Sequence, residues 1–288
     1  MKKTVQRLLI FFTGLPVAAA LIVFLPQYNH LALNIAVIAF SSMGAVEFAL
    51  MLKSKGFPVY IVEAAVLGSL SPLSATLIVS FDTNSQVTQS LFIIGASWVL
   101  VSEIFLRKSK ASSPDFSTVL SRLSAAFSVM IYPGLLLSWI VTMSTLSYST
   151  IVILTFILTV TTNDSLAWVT GMLFGKNNKG IFFVSPNKSI AGYVGGMIAS
   201  IGVCVGMAYA CPDAFVPDQT AKLPSAILLG FFSGITVILG DLAESAIKRS
   251  SGFKDSGRLI PGRGGVLDST DSVALTAPLF YVLYRFFF

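Results

Sequence analysis

Three aspartates, Asp241, Asp268 and Asp271, stand among Lys248, Arg249, Lys254, Arg258 and Arg263 in a stretch running from Asp241 to Ser272. The stretch holds five of the chain's thirteen acidic residues and five of its nineteen lysines and arginines. Carboxylates brought close together repel unless something positive binds them. Oxygen donors with room for water and phosphate suit Mg2+, and lysine and arginine around such an ion are phosphate-binding donors. The chemistry indicated is that of a Mg2+-dependent site for a phosphate-rich ligand. Structural readings compete with it. An acid at a helix N-cap and another at N3 stabilise a helix start, which would account for Asp268 and Asp271. The basic residues can set topology and attract lipid headgroups, and Arg258 is assigned to that role alone.

Local spacing sharpens the picture. Asp241, Glu244 and Lys248 stand at i, i+3 and i+7 and so share one helix face. Past Ser250 the pattern breaks at Gly252, Gly257, Pro261, Gly262, Gly264 and Gly265, a loop whose backbone N–H groups can approach an anion. Upstream, the polar run Thr161 to Ser165 interrupts an apolar helix. A buried hydrogen-bonding network would explain it, but the amide of Asn163 and the carboxylate of Asp164 arrive together, which favours a functional role. Charges inside apolar helices are expensive and need a reason. Glu63 and Glu103 are expected to reach the interface, and Glu47 and Arg122 to form an ion pair. With Asp241 they suggest a polar recess open to the cytoplasm. The sole histidine, His30, is expected in an external loop. Gly192/Gly196, Gly202/Gly206 and Gly230/Gly234 are spaced as close helix-packing positions. Cys204 and Cys211 lie about 10 Å apart along one helix, too far for a disulfide.

The elements that position these residues follow from composition. Of 288 residues, 55% are hydrophobic and 11% charged, and the mean hydropathy is +0.82. A soluble domain would carry about a quarter charged residues. Repeated apolar runs of about twenty residues indicate an all-α, polytopic integral membrane protein. Nine transmembrane helices are expected: Leu8–Leu25, Leu31–Leu52, Val59–Phe81, Thr88–Leu106, Phe116–Val141, Thr150–Phe174, Ala191–Ala210, Pro224–Ile247 and Leu267–Phe288. The first resembles a signal peptide at its basic start but is long for one, and reads as a membrane helix. Lys2, Lys3 and Arg7, then Lys53 and Lys55, then Arg107, Lys108 and Lys110, then Lys176, Lys179 and Lys188, then Lys248 to Arg263 fall on alternate connections. Positive charge stays on the cytoplasmic side. The N-terminus and the Asp241–Ser272 stretch are therefore expected in the cytoplasm. Residues 1–145 are expected to form a scaffold with lipid access, and 146–288 a catalytic region with its signature loop at 248–267.

The stretch SAIKRSSGFKDSGRLIPGRGGVLDSTDS closely resembles the signature of the phosphatidate cytidylyltransferase (CDP-diacylglycerol synthase) family, S-x-x-K-R-x4-K-D-x-G followed by P-G-H-G-G-x-x-D-R-x-D. Ser245, Lys248, Arg249, Lys254, Asp255, Gly257, Pro261, Gly262, Gly264, Gly265, Asp268 and Asp271 match with spacing intact. NDSLAWVTGMLFG and SPNKSIAG are similar to two further family motifs. Arg263 stands where the family has His, Ser269 where it has Arg, and Ala191 where it has Glu. The resemblance implies that CTP and phosphatidate give CDP-diacylglycerol and pyrophosphate, the lipid phosphate attacking the α-phosphorus. It implies metal binding by Asp241 and Asp268 with Asp271 supporting. Lys248, Arg249, Lys254 and Arg263 would grip phosphates, with Asp255, Gly264 and Gly265 in the substrate loop. Asn163, Asp164, Ser185 and Lys188 would line the recess. It further implies Mg2+, leaves a second cation such as K+ open, and implies a homodimer among membrane lipids with no nucleic-acid partner. Two other readings are a CTP-dependent polyprenol or lipid-alcohol kinase, and a non-catalytic anionic-lipid-binding membrane protein or transporter.

Overall fold

The computed structural model describes residues 3–106, 117–216 and 221–288. The side chains of Lys2, Lys3, Arg7 and Glu103, and residues Arg107, Lys108, Lys110 and Phe116, lie outside the described residues. The described chain is helical: α1 (Lys3–Phe24), α2 (Gln27–Ser54), α3 (Ile61–Phe81), α4 (Ser85–Leu106), α5 (Val119–Val129), a π-helical turn (Met130–Leu135), α6 (Leu136–Met143), α7 (Ser149–Phe174), α8 (Ile190–Ala210), α9 (Lys222–Ser251) and α10 (Leu267–Phe287). Among the described residues, six helices are long and apolar enough to cross a membrane: Gln27–Ser54, Ile61–Phe81, Val119–Met143, Ser149–Phe174, Ile190–Ala210 and Lys222–Ser251. Thr13–Phe24 and Gln89–Ser102 are shorter apolar helices. The all-α, polytopic membrane architecture therefore holds. Helices occupy all nine expected stretches, while six of them meet the length and composition of a crossing.

Two compact units make up the chain, Met1–Thr142 with Ser251–Asp268, and Met143–Ser250 with Ser269–Phe288. In the first, α2 and α3 approach closely. A Cβ on Gly68 would overlap Ala45, and Gly134 of the π-helical turn sits against the Gly68 carbonyl. The turn forms where Pro133, which lacks an N–H, interrupts the ladder. The Pro133 carbonyl accepts a bond from Ser41 Oγ. The loop Ser251–Asp268 belongs to this unit rather than grouping with all of the C-terminal helices. The reason is Glu47 of α2, which takes up the loop's backbone N–H groups.

Arg122 and Glu63 meet in the same unit. Arg122 Nη2 lies 3.0 and 2.8 Å from the two carboxylate oxygens of Glu63, and Nη1 donates to Ser102 Oγ at 2.9 Å. Trp98 Nε1 donates to Glu63 Oε1 at 2.9 Å, and the guanidinium stands 4.7 Å from the centre of the Tyr60 ring. The expected Glu47–Arg122 pair is thus replaced by Glu63–Arg122, and Glu63 is not a snorkelling side chain. Arg122 is 5% exposed and Glu63 12%, so each charge depends on the other in place of water.

His30 also departs from expectation. It is buried at the start of α2, where Tyr28, Asn29 and His30 form a left-handed turn. Asn29 Nδ2 ties that turn to the Val79 carbonyl at 2.6 Å.

In the second unit small residues let helices touch. A Cβ on Gly192 would fall 2.8 Å from the Ala167 carbonyl oxygen, one on Gly230 2.6 Å from Ile201 Cα, and one on Gly234 2.8 Å from Met197 Sδ. Among the described residues Gly202 and Gly206 have no such neighbour. Cys204 and Cys211 are both free thiols. Phe156 of α7 and Phe280 of α10 pack with ring centres 5.3 Å apart.

Removing Arg122 strands a buried carboxylate, a change that costs about 3–5 kcal/mol. Arg122→Ala is expected to melt well below the parent in detergent, and Arg122→Met with Glu63→Leu to recover much of the loss. An unchanged melting temperature for Arg122→Ala would remove this pair from the supports of the fold.

Candidate functional site

The signature residues fall into two groups, one in each unit. In the first unit the loop after α9 turns at Pro261–Gly262, with Arg263 N donating to the Ile260 carbonyl at 3.2 Å and Gly262 at φ +77°. Proline followed by a positive-φ glycine is the pattern of a type II turn. Ile260 and Gly264 then exchange bonds of 2.8 and 2.9 Å, closing a small bridge.

Past this turn the backbone wraps two carboxylates. Glu47 Oε1 accepts from Val266 N at 3.0 Å, while Oε2 accepts from Leu267 N at 2.9 Å and is 2.8 Å from Ser256 Oγ. Asp268 Oδ2 accepts from Ser256 N and Gly265 N, both at 2.7 Å, and lies 2.9 Å from Ser256 Oγ. Glu47 is 8% exposed. A Cβ on Gly265 would overlap Glu47 Oε2 and Ser256 Oγ, one on Gly257 would overlap Glu47 Oε1, and one on Gly264 would overlap Asp268 Oδ2. The glycines are required because the two carboxylates lie against the backbone. The N–H groups expected to face an incoming anion are engaged at Gly265, Val266 and Leu267 by the chain's own acids. Asp268 holds the loop that precedes its helix.

In the second unit Lys188 and Asp241 form a salt bridge, as do Lys248 and Glu244 one helical turn apart. Lys188 is placed by its loop. Its N–H donates to the Ser185 carbonyl at 3.2 Å, its carbonyl accepts from Gly180 N at 3.1 Å, and Ser189 Oγ caps α8 by accepting from Gly192 N at 3.1 Å. Gly240, beside Asp241, packs so closely on α10 that a Cβ would fall 2.8 Å from the Asp271 carbonyl oxygen. Asp271 is buried, its Oδ1 accepting from Ser272 N at 2.6 Å. Burial holds the Lys188 ammonium below the usual lysine range, against the pull of the Asp164 and Asp271 carboxylates. Asp164 therefore acts on Lys188, whereas its neighbour Asn163 turns the other way and donates to Ser200 Oγ at 2.7 Å.

The donors suit a hard divalent cation of modest protein ligation. Asp241 and Asp271 stand on adjoining helices, and the Lys188 ammonium on Asp241 occupies a position that a cation favours. Among the described residues, no three or more His, Cys, Asp or Glu side chains form a group able to hold a metal. Arg249, Lys254, Asp255 and Arg263 are exposed, and among the described residues none of the four is salt-bridged to another side chain.

A model of the cytidylyltransferase family matches residues 5–287. The chain belongs to the cytidylyltransferase family. It is 35% identical over 191 residues to a phosphatidate cytidylyltransferase of Staphylococcus haemolyticus, covering 66% of this chain and 67% of that one. It is 34% identical over 225 residues to one of Staphylococcus saprophyticus, covering 76% and 79%. A third, from Haemophilus influenzae, is 40% identical over 123 residues, or 43% and 42% of the two chains. Members of the cytidylyltransferase family generally use a divalent cation. In this cytidylyltransferase the loop-holding residue that sequence reasoning missed is Glu47. Its depth in an apolar helix was the available signal, but nothing in α2 indicates that its partners lie more than two hundred positions away.

Two outcomes test this geometry. Loss of the Glu47 carboxylate removes charge-assisted bonds of about 1.5–3 kcal/mol each, so Glu47→Ala should raise tryptic cleavage at Lys254, Arg258 and Arg263 by more than about tenfold. Equal cleavage of parent and variant would show that Glu47 does not hold the loop. Separately, if the Lys188 charge serves turnover, activity should fall with rising pH before an ordinary lysine would titrate. Lys188→Arg, whose charge persists, should move that alkaline limb upward, and an unmoved limb would assign it to another group.

Proposed function

We propose that the chain is a phosphatidate cytidylyltransferase, converting CTP and phosphatidate to CDP-diacylglycerol and pyrophosphate. What carries the reading is the likeness to relatives of that name over two thirds or more of their length, with the family's motif residues present at the Lys188–Asp241 cluster. A lipid phosphomonoester is largely dianionic near neutral pH and needs no side-chain nucleophile. Its oxygen forms a bond to the α-phosphorus of CTP as the bond to the β-phosphate oxygen breaks, and pyrophosphate carries away the electron pair.

The chain's own work is then binding, alignment and charge. Lys188 is held ready at the cluster by its loop, and its ammonium can exchange Asp241 for a substrate phosphate. Lys248, Arg249, Lys254 and Arg263 bind phosphates, with Arg263 a permanent cation where the family has a histidine. The resemblance assigns metal binding to Asp241 and Asp268, supported by Asp271, and lining of the recess to Asn163, Asp164 and Ser185. Asp255, Gly264 and Gly265 belong to the substrate loop, the glycines by giving the backbone room beside the acids. Mg2+ when bound supplies charge neutralisation for the triphosphate. The distribution of lysine and arginine supports a cytoplasmic N-terminus and a site facing the cytoplasm. The family resemblance supports a homodimer in the membrane.

Purified protein with Mg2+, CTP labelled at the α-phosphate and phosphatidate should yield labelled CDP-diacylglycerol and one equivalent of pyrophosphate. Asp241→Asn should lower kcat/KM by on the order of 10²-fold or more, since a metal's share of transition-state stabilisation is several kcal/mol. Release of CDP with phosphate transferred to a lipid alcohol would overturn the reading in favour of a kinase.

A further inference from the structure

The loop between α7 and α8 exposes three consecutive apolar side chains. Ile181 is 46% exposed, Phe182 41% and Phe183 100%. The loop is nonetheless constrained. Gly180 N donates to the Lys188 carbonyl at 3.1 Å and Ile190 N to the Asn178 carbonyl at 3.0 Å, so its two limbs are joined below the tip. The Phe182 ring packs on Tyr193 of α8 with centres 5.8 Å apart. Beside the tip stand Lys176 and Lys179, both exposed and, among the described residues, in no salt bridge.

Helix length places this tip. The 26 residues of α7 rise about 39 Å, against a hydrocarbon core of about 30 Å. A crossing helix of that length ends among the lipid headgroups. Aromatic side chains and lysines are the residues that settle at this depth, the rings at the headgroup level and the ammonium groups on anionic lipid.

We propose that Ile181–Phe183 is a lipid-facing lip. It is seated in the headgroup layer of the membrane that the chain spans, and an anionic phospholipid headgroup passes over it, by Lys176 and Lys179, to Lys188. The backbone of Lys188 is bonded within this same loop, to Gly180 and Ser185, so the lip and Lys188 belong to one short constrained segment. The occupant is the bilayer interface rather than a second copy of the chain, because unpaired lysines flank the aromatic tip and complement an anionic surface. The passage of substrate rests on the proposed activity; the seating of the lip does not.

The test separates these. A nitroxide on Phe183→Cys, in a Cys211→Ser background, is read in the full chain reconstituted in vesicles of phosphatidylcholine and phosphatidate. Collisions with oxygen are expected to exceed those with a water-soluble nickel chelate. Dominant nickel access, or dipolar broadening from a second label, would overturn the lip in favour of water or a partner copy. In the second arm Phe183→Asp should raise the KM for long-chain phosphatidate in vesicles by about tenfold. Its KM for CTP, and its kcat with a short-chain soluble phosphatidate, should match the parent. Equal KM values for the long-chain lipid would overturn the passage. An unaltered protein that makes no CDP-diacylglycerol would instead overturn the proposed activity and leave the nitroxide result to decide the lip.

Discussion

A carboxylate carried into an apolar helix must find hydrogen-bond donors or lose its charge, and in this protein Glu47 meets that requirement with a loop. Two backbone N–H groups and one hydroxyl reach it from Ser256, Val266 and Leu267. The consequence runs both ways. The acid is satisfied at a depth where water is scarce, and the loop that bears the signature residues acquires a fixed conformation. Gly257, Gly264 and Gly265 then have no freedom to vary, since any side chain would enter the space of Glu47 or Asp268. The motif's glycines are thus explained by its acids.

The second unit solves the same problem with a cation. Asp241 and Glu244 enter the membrane side of α9 one turn apart, and each has a lysine, Lys188 and Lys248. Lys188 is the more informative partner. A half-buried ammonium, paired with Asp241 and drawn by Asp164 and Asp271, is held by charge but opposed by desolvation. The structural pair of Arg122 with Glu63 contrasts with it. There the guanidinium is also bonded to Ser102 and faces the Tyr60 ring, and the carboxylate takes a further bond from Trp98.

Much of this was legible beforehand, for physical reasons. Apolar runs announce membrane helices because a bilayer forbids unsatisfied backbone, and the helices fall where those runs lie. The Asp241, Glu244 and Lys248 face followed from helical periodicity, and the Glu244–Lys248 pair bears it out. What the chain concealed was long-range pairing. Glu47, Glu63 and Arg122 were visibly anomalous, yet periodicity within one helix cannot say which anomaly neutralises which. Depth alone suggested Glu47 with Arg122, whereas the helix packing gives Arg122 to Glu63. His30 shows a second limit. A turn with three consecutive positive φ values has no composition signal when none of its residues is glycine.

Pairing also sorts the charged side chains by what they await. Glu47, Glu63, Arg122, Asp241, Glu244 and Lys248 all have partners within the chain, and replacing any of them perturbs the fold as well as a ligand. Arg249, Lys254 and Arg263 are exposed and, among the described residues, not salt-bridged. They add little to stability, because exposed charges contribute little even when paired. Arg249 stands at the end of α9 in the second unit, and Lys254 and Arg263 stand in the loop of the first; among the described residues each is a positive charge with no salt-bridge partner. In the proposed reaction a nucleoside triphosphate and a lipid phosphate would supply the matching negative charge. Cations matched internally would have to break a pair before binding either one, and that cost would fall on affinity. The paired group holds its segments in shape, while Arg249, Lys254 and Arg263 can bind an anion without breaking a pair, a step that Lys188 and Lys248 would have to take.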